Sequence, residues 1–386
     1  MLDMLTEEQT LIRESAREFV QREVAPVARK MDETDKYPFD LMKRCGELGY
    51  AGMVFPEVLG GSGLGLTEFC LVLEEISRAS QTLAICLDAS STLCFLPILF
   101  AGTDEQRAKY IPRATAGEII GAYAMSEVTG ATNLPAHSTT AVRDGDEWVI
   151  NGTKIFCTNS QAADVYIVFA RVDGSPLPTT FIVEKGMPGV NFGNIERKMG
   201  WHGTYTGTIN FDDARVPAAN QLGPLHEGMN GVAIPIFESA VGIGAMCCGA
   251  AAGVLQKTID YTKEREIMGT KLIDNQSVAF DLARAAMDIE TSRALVYKTA
   301  AMIDAGNLPI PGTPMNVMIS ACKIQPAEMA AKVCDLCIQL HGGHGYIDDM
   351  DIHRYLRDVR ACQIGEGPTS THLQYIADVI KTQNIF

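Results

Sequence analysis

Basic residues are scarce in this chain: 32 Lys and Arg stand against 47 Asp and Glu in 386 residues, a formal charge of −15. Coating nucleic acid or anionic membrane takes a basic field, so neither is expected as a partner; an anionic small ligand on a local Arg or Lys remains open. No uninterrupted apolar run reaches the ~18 residues of a membrane span. The longest, Leu83 to Ala101, is broken by Asp88, Ser90, Ser91, Thr92 and Pro97, and no membrane insertion is expected. The start, Met1-Leu-Asp-Met-Leu-Thr6, lacks the basic and apolar regions of a secretory signal. The eleven cysteines show no disulfide spacing and sit mostly in apolar runs, which points to a reducing, cytoplasmic setting. What is plentiful is core: 47% hydrophobic residues suffice for two or three domains at ~150 residues each.

Several familiar motifs are missing as well. Gly60-Gly-Ser-Gly-Leu-Gly65 fails the Gly-x-Gly-x-x-Gly pattern because position 66 is Leu, and no strand or trailing acidic residue frames it as a Rossmann site. No P-loop occurs. Cys334-Asp-Leu-Cys337 has redox spacing but lies in an amphipathic helical run, where buried structural thiols are expected. His341-Gly-Gly-His344 lacks a third ligand at metal spacing, and no Glu-x-x-His supports a di-iron bundle. No metal site is expected.

The chain reads as helices, then strands, then helices. Thr6 with Gln9 forms a capping box, and Leu11, Ile12, Phe19, Val20 and Val24 follow at helical spacing until Pro26. Further helices are expected near 39–48, 67–77 and 104–110, the last stopped by Pro112. After Gly117 the texture turns β-like, with strands around Gly145, a hairpin turn at Asn151-Gly152, and runs at 165–172, 179–184 and 206–211. From about Ala218 helix resumes, over 238–263, 276–305, 315–340 and 371–380.

Taken together and in order, five stretches resemble the flavin-dependent acyl-CoA dehydrogenase family. They are Tyr123-Ala-Met-Ser-Glu-Val-Thr-Gly-Ala-Thr-Asn133; Trp148-Val-Ile-Asn-Gly-Thr-Lys-Ile-Phe-Cys-Thr-Asn159; Lys198-Met-Gly-Trp-His-Gly203 through Pro217; Arg265-Glu-Ile-Met-Gly269 with Gln276; and Gln339-Leu-His-Gly-Gly-His-Gly-Tyr346 through Gly365-Glu366-Gly367. The resemblance implies an α+β fold: an N-terminal α-helical domain (1–117), a central β-barrel-like domain (118–225) and a C-terminal four-helix bundle (226–386), usually in a homotetramer. It also implies FAD, an acyl-CoA substrate and an electron-transfer flavoprotein as acceptor. Ser126 and Thr158 match positions that bond the isoalloxazine edge, Phe156 an aromatic against the ring, and Thr132 a hydroxyl at the pyrophosphate. Arg265, Gln276, Gln339 and Gly343 match positions that hold the other half of FAD across a subunit interface.

Desaturating a thioester requires a base for the α proton while the β hydrogen leaves as hydride to flavin N5. Glu366 matches the commonest family position for that base, and its flanking glycines allow close backbone approach to a ligand. The other family location for a base is Ser239 here, which cannot serve. Ala240 replaces a frequent Arg and Pro368 a frequent Thr, so a remodelled acyl pocket or loop is expected. Asp88 is the further oddity, since a carboxylate in an apolar helix is costly unless paired or functional. It is either a second substrate-facing base or a structural Asp bonded to Ser90, Ser91 or Thr92. The first option suggests an alicyclic substrate such as a cyclohexane- or cyclohexene-carboxyl-CoA. Alternatives are a short- or branched-chain acyl-CoA, an oxidase using oxygen, and, from another class, a non-enzymatic helical interaction protein.

Overall fold

The computed structural model describes residues 5–131, 133–308 and 312–383. The expected capping box closes at Thr6, whose hydroxyl accepts from the Gln9 amide while the Gln9 side chain accepts from the Thr6 amide, and it starts α1 (Glu7–Phe19). A π-helical turn, Val20–Val24, joins α1 to α2 (Ala25–Thr34), and Pro26 follows just after it, so the helix runs on through the proline. Then come α3 (Phe39–Glu47), α4 (Leu66–Ser77) and α5 (Gln81–Asp88), which runs through a π-helical stretch, Ala89–Phe95, into α6 (Leu96–Ala101). The next helix, α7 (Asp104–Thr115), does not stop at Pro112. The one carbonyl that Pro112 leaves unbonded in the helix belongs to Ala108, which is exposed to water.

The middle of the chain forms one eight-stranded sheet: β1 (Gly121–Ala124), β2 (Thr140–Asp144), β3 (Glu147–Cys157), β4 (Val165–Arg171), β5 (Pro178–Glu184), β6 (Val190–Ile195), β7 (Gly207–Pro217) and β8 (Gln221–Leu222). The spatial order is β6-β7-β3-β2-β4-β5-β8, with β1 parallel to β4. The hairpin expected at Asn151-Gly152 is absent; both residues lie inside β3, at a register shift against β7. Gly152 is required there by contact, because a Cβ would sit 2.4 Å from Thr139 Oγ1. A 3-10 turn stands at Ala218–Asn220, 221–222 supply the last strand of this sheet, and the first long C-terminal helix begins at Ala233, before the expected 238.

The C-terminal part is built on α8 (Ala233–Glu264), α9 (Gln276–Asp304) and α10 (Pro314–His341), followed by short α11 (Gly343–Tyr346), α12 (His353–Ala361) and α13 (Thr369–Thr382). α8 is apolar all round its middle turns, as a helix enclosed on every side should be. By length and composition, 81–101 and 233–264 could each cross a membrane, but 89% and 78% of their most apolar windows are buried inside the protein. Their apolarity serves the core. That core is continuous from Phe69, Leu73 and Ile76 of α4 through Val241 and Met246 of α8 to Val168 and Phe181 of the sheet.

Candidate active site

Three residues that are far apart in sequence meet where α5, α8 and the loop before α13 converge. Ser239 Oγ lies 2.5 Å from Asp88 Oδ2 and 2.6 Å from Glu366 Oε2. Asp88 and Ser239 have no exposed surface, whereas Glu366 is half-buried. Thr92, one turn on, donates to Asp88 Oδ1 at 3.0 Å. Ser90 and Ser91 are engaged elsewhere: Ser90 Oγ accepts from the Gly121 amide and Ser91 donates to the Ala51 carbonyl. Room for the Asp88 carboxyl comes from Gly242, one turn after Ser239, where a Cβ would sit 3.1 Å from Asp88 Oδ1.

Glu366 is held by its backbone. Its φ of 54° is left-handed, as is that of Gly367 at 86°, and this turn aims the side chain back toward α8. The turn is pinned on both sides. Lys323, wholly buried on α10, donates from Nζ to the Gly367 carbonyl. His372 of α13 donates from Nε2 to the Glu366 carbonyl at 3.1 Å, while its Nδ1 faces Ser320 Oγ at 3.3 Å.

Burial pushes the Glu366 carboxyl up to about 7, against the pull of Ser239 and Lys323. Asp88 is raised well above the ordinary carboxylate range, first by burial and then by the charge of Glu366, with Ser239 and Thr92 opposing. Burial lowers Lys323, and Glu366 partly restores it. Next to Ser239, Glu238 is pushed up to about 7 by burial and the charge of Asp304. A carboxyl near neutrality at the working pH suits proton transfer, because it can both take and release a proton.

A second constellation lies on the sheet. Ile155 donates its amide to the Ser126 carbonyl at 2.9 Å, which sets Ser126 beside the end of β3 where Phe156 and Thr158 stand. Phe156 is 64% exposed and left-handed at φ 54°, an unusual state for a large aromatic. The loop carrying Ser126 is braced from below by a buried ion pair, Lys154 Nζ to Glu127 Oε1 at 2.7 Å. Burial alone would raise Glu127, but Lys154 and the Ser138 and Thr139 donors bring it down to about 2. Asn159 ties this patch to the carboxyl cluster, donating to the carbonyls of Cys86 and Gly121, both at 3.0 Å. Two hydroxyls beside an exposed aromatic at a strained position fit the rim of a planar, hydrogen-bonding heterocycle such as an isoalloxazine.

Arg265, Gln276, Gln339 and Gly343 are all exposed and gather at one end of the C-terminal helices. Arg265 caps α8, Gln276 opens α9, and Tyr261 stacks on His341 at 4.3 Å, drawing the ends of α8 and α10 together. Thr132 lies outside the described residues. Sequence reasoning missed Lys323, His372 and the bridging role of Ser239, which cannot act as a base but joins two carboxyls. A buried Lys in an apolar helical run was the one signal that could have exposed Lys323.

The family models for the acyl-CoA dehydrogenase N-terminal, middle and C-terminal domains match residues 6–118, 122–214 and 227–381. An acyl-CoA dehydrogenase of Bacillus subtilis is 36% identical over 94% of this chain and 95% of its own length. A short-chain specific acyl-CoA dehydrogenase of Clostridium acetobutylicum is 35% identical, over 97% and 98%. A solved structure described as the electron transferring flavoprotein of Acidaminococcus fermentans superimposes with a TM-score of 0.93 at 35% identity, covering 98% of this chain and 99% of that one. With all three domain models matched in order and relatives of 35–36% identity spanning nearly its whole length, the chain belongs to the acyl-CoA dehydrogenase family of FAD-dependent oxidoreductases.

Proposed function

We propose that this chain dehydrogenates a compact, alicyclic acyl-CoA, such as a cyclohexane- or cyclohexene-carboxyl-CoA, using two carboxyls. In α,β-desaturation of the saturated ring Glu366 takes the α proton; in a separate turnover, on the ring that already carries that double bond, Asp88 takes a proton further along, and in each turnover one hydride leaves from another carbon. When bound, FAD supplies the acceptor for the hydrogen that leaves with its electron pair. Ser126, Phe156 and Thr158 would hold its ring, with Thr132, Arg265, Gln276, Gln339 and Gly343 on the remainder. Partial burial of Glu366 raises its carboxyl against the pull of the Ser239 hydroxyl and keeps it basic enough to compete for an α proton that the thioester has already acidified.

The observation that carries the reading is the pair of carboxyls joined through Ser239, at 2.5 and 2.6 Å. A ring brings remote carbons close to the α-carbon base far more readily than a flexible chain does. Asp88→Asn keeps size and removes the base. With an artificial electron acceptor, that variant is expected to lose turnover of cyclohex-1-ene-carboxyl-CoA at the remote position, while α,β-desaturation of cyclohexane-carboxyl-CoA survives. Unchanged rates on every cyclic thioester contradict a catalytic Asp88. The second reading, a short straight or branched acyl group with Asp88 structural, is favoured by the short-chain relative and by the Thr92 bond. It predicts that butyryl-CoA outcompetes any ring.

The same proposal extends to the setting. The likeness to the Acidaminococcus structure supports an electron-transfer flavoprotein as acceptor rather than oxygen, and anaerobic against aerobic assays separate the two. The exposed FAD-end residues support a homotetramer in which a neighbouring subunit covers them. Eleven free, buried thiols support a cytoplasmic protein.

A further inference from the structure

We propose that Ser239 is a positioning residue that couples Asp88 and Glu366 into one proton-sharing unit, the two carboxyls holding a single proton between them and passing it through the serine hydroxyl. This rests on Glu366 being the α-proton base, and it holds whichever acyl group is taken.

A hydroxyl carries one hydrogen. At 2.5 and 2.6 Å, both oxygens stand at charge-assisted O–H···O distance from Ser239 Oγ, yet Ser239 can donate to only one of them. The other short contact needs a proton supplied by the carboxyl itself. The arrangement is therefore satisfied with one carboxyl protonated and the other ionised; with both ionised, one contact sets two electron-rich oxygens against each other. The surrounding charges agree. Facing the cluster are Glu238 on α8, Cys70 on α4, Tyr123 on β1, His372 on α13 and Lys323 on α10. Lys323 is the cation among them, enough to balance one carboxylate rather than two.

Access argues the direction. Asp88 and Ser239 are sealed, and Glu366 alone of the three reaches the surface. A proton arriving at Asp88 leaves when the O–H of its carboxylic acid breaks toward Ser239 Oγ while the original hydroxyl proton moves to the Glu366 carboxylate. Serine ends neutral, as it began, and no electron changes hands.

The test uses FAD-loaded enzyme with Ser239→Ala, Ser239→Cys and Ser239→Thr. Flavin bleaching on rapid mixing with butyryl-CoA is followed against pH. In parallel, the infrared band of protonated carboxyls is titrated without substrate. The wild-type rate should rise through about pH 7. Losing the hydroxyl removes a bond that favours the ionised form, so Ala and Cys should move both the rate limb and the infrared midpoint up by about one pH unit. Thr, which keeps the hydroxyl, should restore both. If the Ala variant fails to take up FAD, Cys carries the comparison. A variant slower by one constant factor at every pH, or indistinguishable from wild type, overturns the coupling. Glu366→Gln separates the failures: retained α-proton chemistry removes Glu366 as base, whereas silence with an unmoved Ser239→Ala limb sinks the coupling alone.

Discussion

A carboxyl held above its ordinary range binds its proton more tightly in the folded chain than in the unfolded one. For Asp88 and Glu366 this contribution to stability is therefore full in acid and is lost as pH rises through about 7 for Glu366, and further for Asp88. Asp88→Asn removes the buried charge while keeping an acceptor for Ser239 and Thr92. It should raise Tm at pH 8 by roughly 2–4 °C and do little at pH 5; calorimetry showing equal losses at both pH values would contradict the buried-charge account. Lys323 works in the opposite sense, since its charge favours ionised Glu366 and its Nζ anchors the Gly367 carbonyl. Lys323→Met should slow flavin reduction roughly tenfold more at pH 6 than at pH 8. A uniform loss across pH would reduce Lys323 to an anchor.

At the scale of elements, what matters is how closely helices can approach. An added Cβ at Gly249 of α8 would lie 2.1 Å from the Glu74 carbonyl of α4, so these helices touch backbone to backbone. Gly249→Ala should destabilise the chain by about 3 kcal/mol in denaturant titration; a neutral result would mean that α4 can shift freely. Signals local in sequence were legible: the Thr6–Gln9 box and the long helices at 276–304 and 314–341 fall close to expectation. Asn151-Gly152 misled because its glycine answers to Thr139 across space and not to a turn. Ser239 was dismissed for the same kind of reason. Its meaning depends on residues 151 positions before it and 127 after it, and no period in the chain encodes that meeting. The family motif singles out Glu366 in the sequence, but its left-handed backbone, the Lys323 bond to Gly367 and the His372 bond to its own carbonyl appear only once α10 and α13 are folded.

On the scale of the whole molecule, the sheet, the helical core and the exposed end of α8, α9 and α10 divide the labour. The Asn159 bonds fix the end of β3 to α5 and β1, so the distance from Phe156 to Asp88 is set by the rigid part of the fold. The end bearing Arg265 and the fully exposed Met268 is open to solvent, and the proposed function gives it to FAD and a neighbouring subunit. Arg265→Ala should therefore lose FAD and sediment as smaller species together; FAD retention at wild-type levels would place that residue outside the site. The central claim, that Glu366 is the base of a flavin-dependent acyl-CoA dehydrogenase, is tested most directly by Glu366→Gln. The flavin spectrum of the purified variant and its turnover of butyryl-CoA and cyclohexane-carboxyl-CoA with an artificial acceptor are measured side by side. The account predicts a yellow protein with FAD bound and α,β-desaturation lowered by about 10²–10⁴-fold. A variant that keeps its FAD and also keeps wild-type turnover would contradict it.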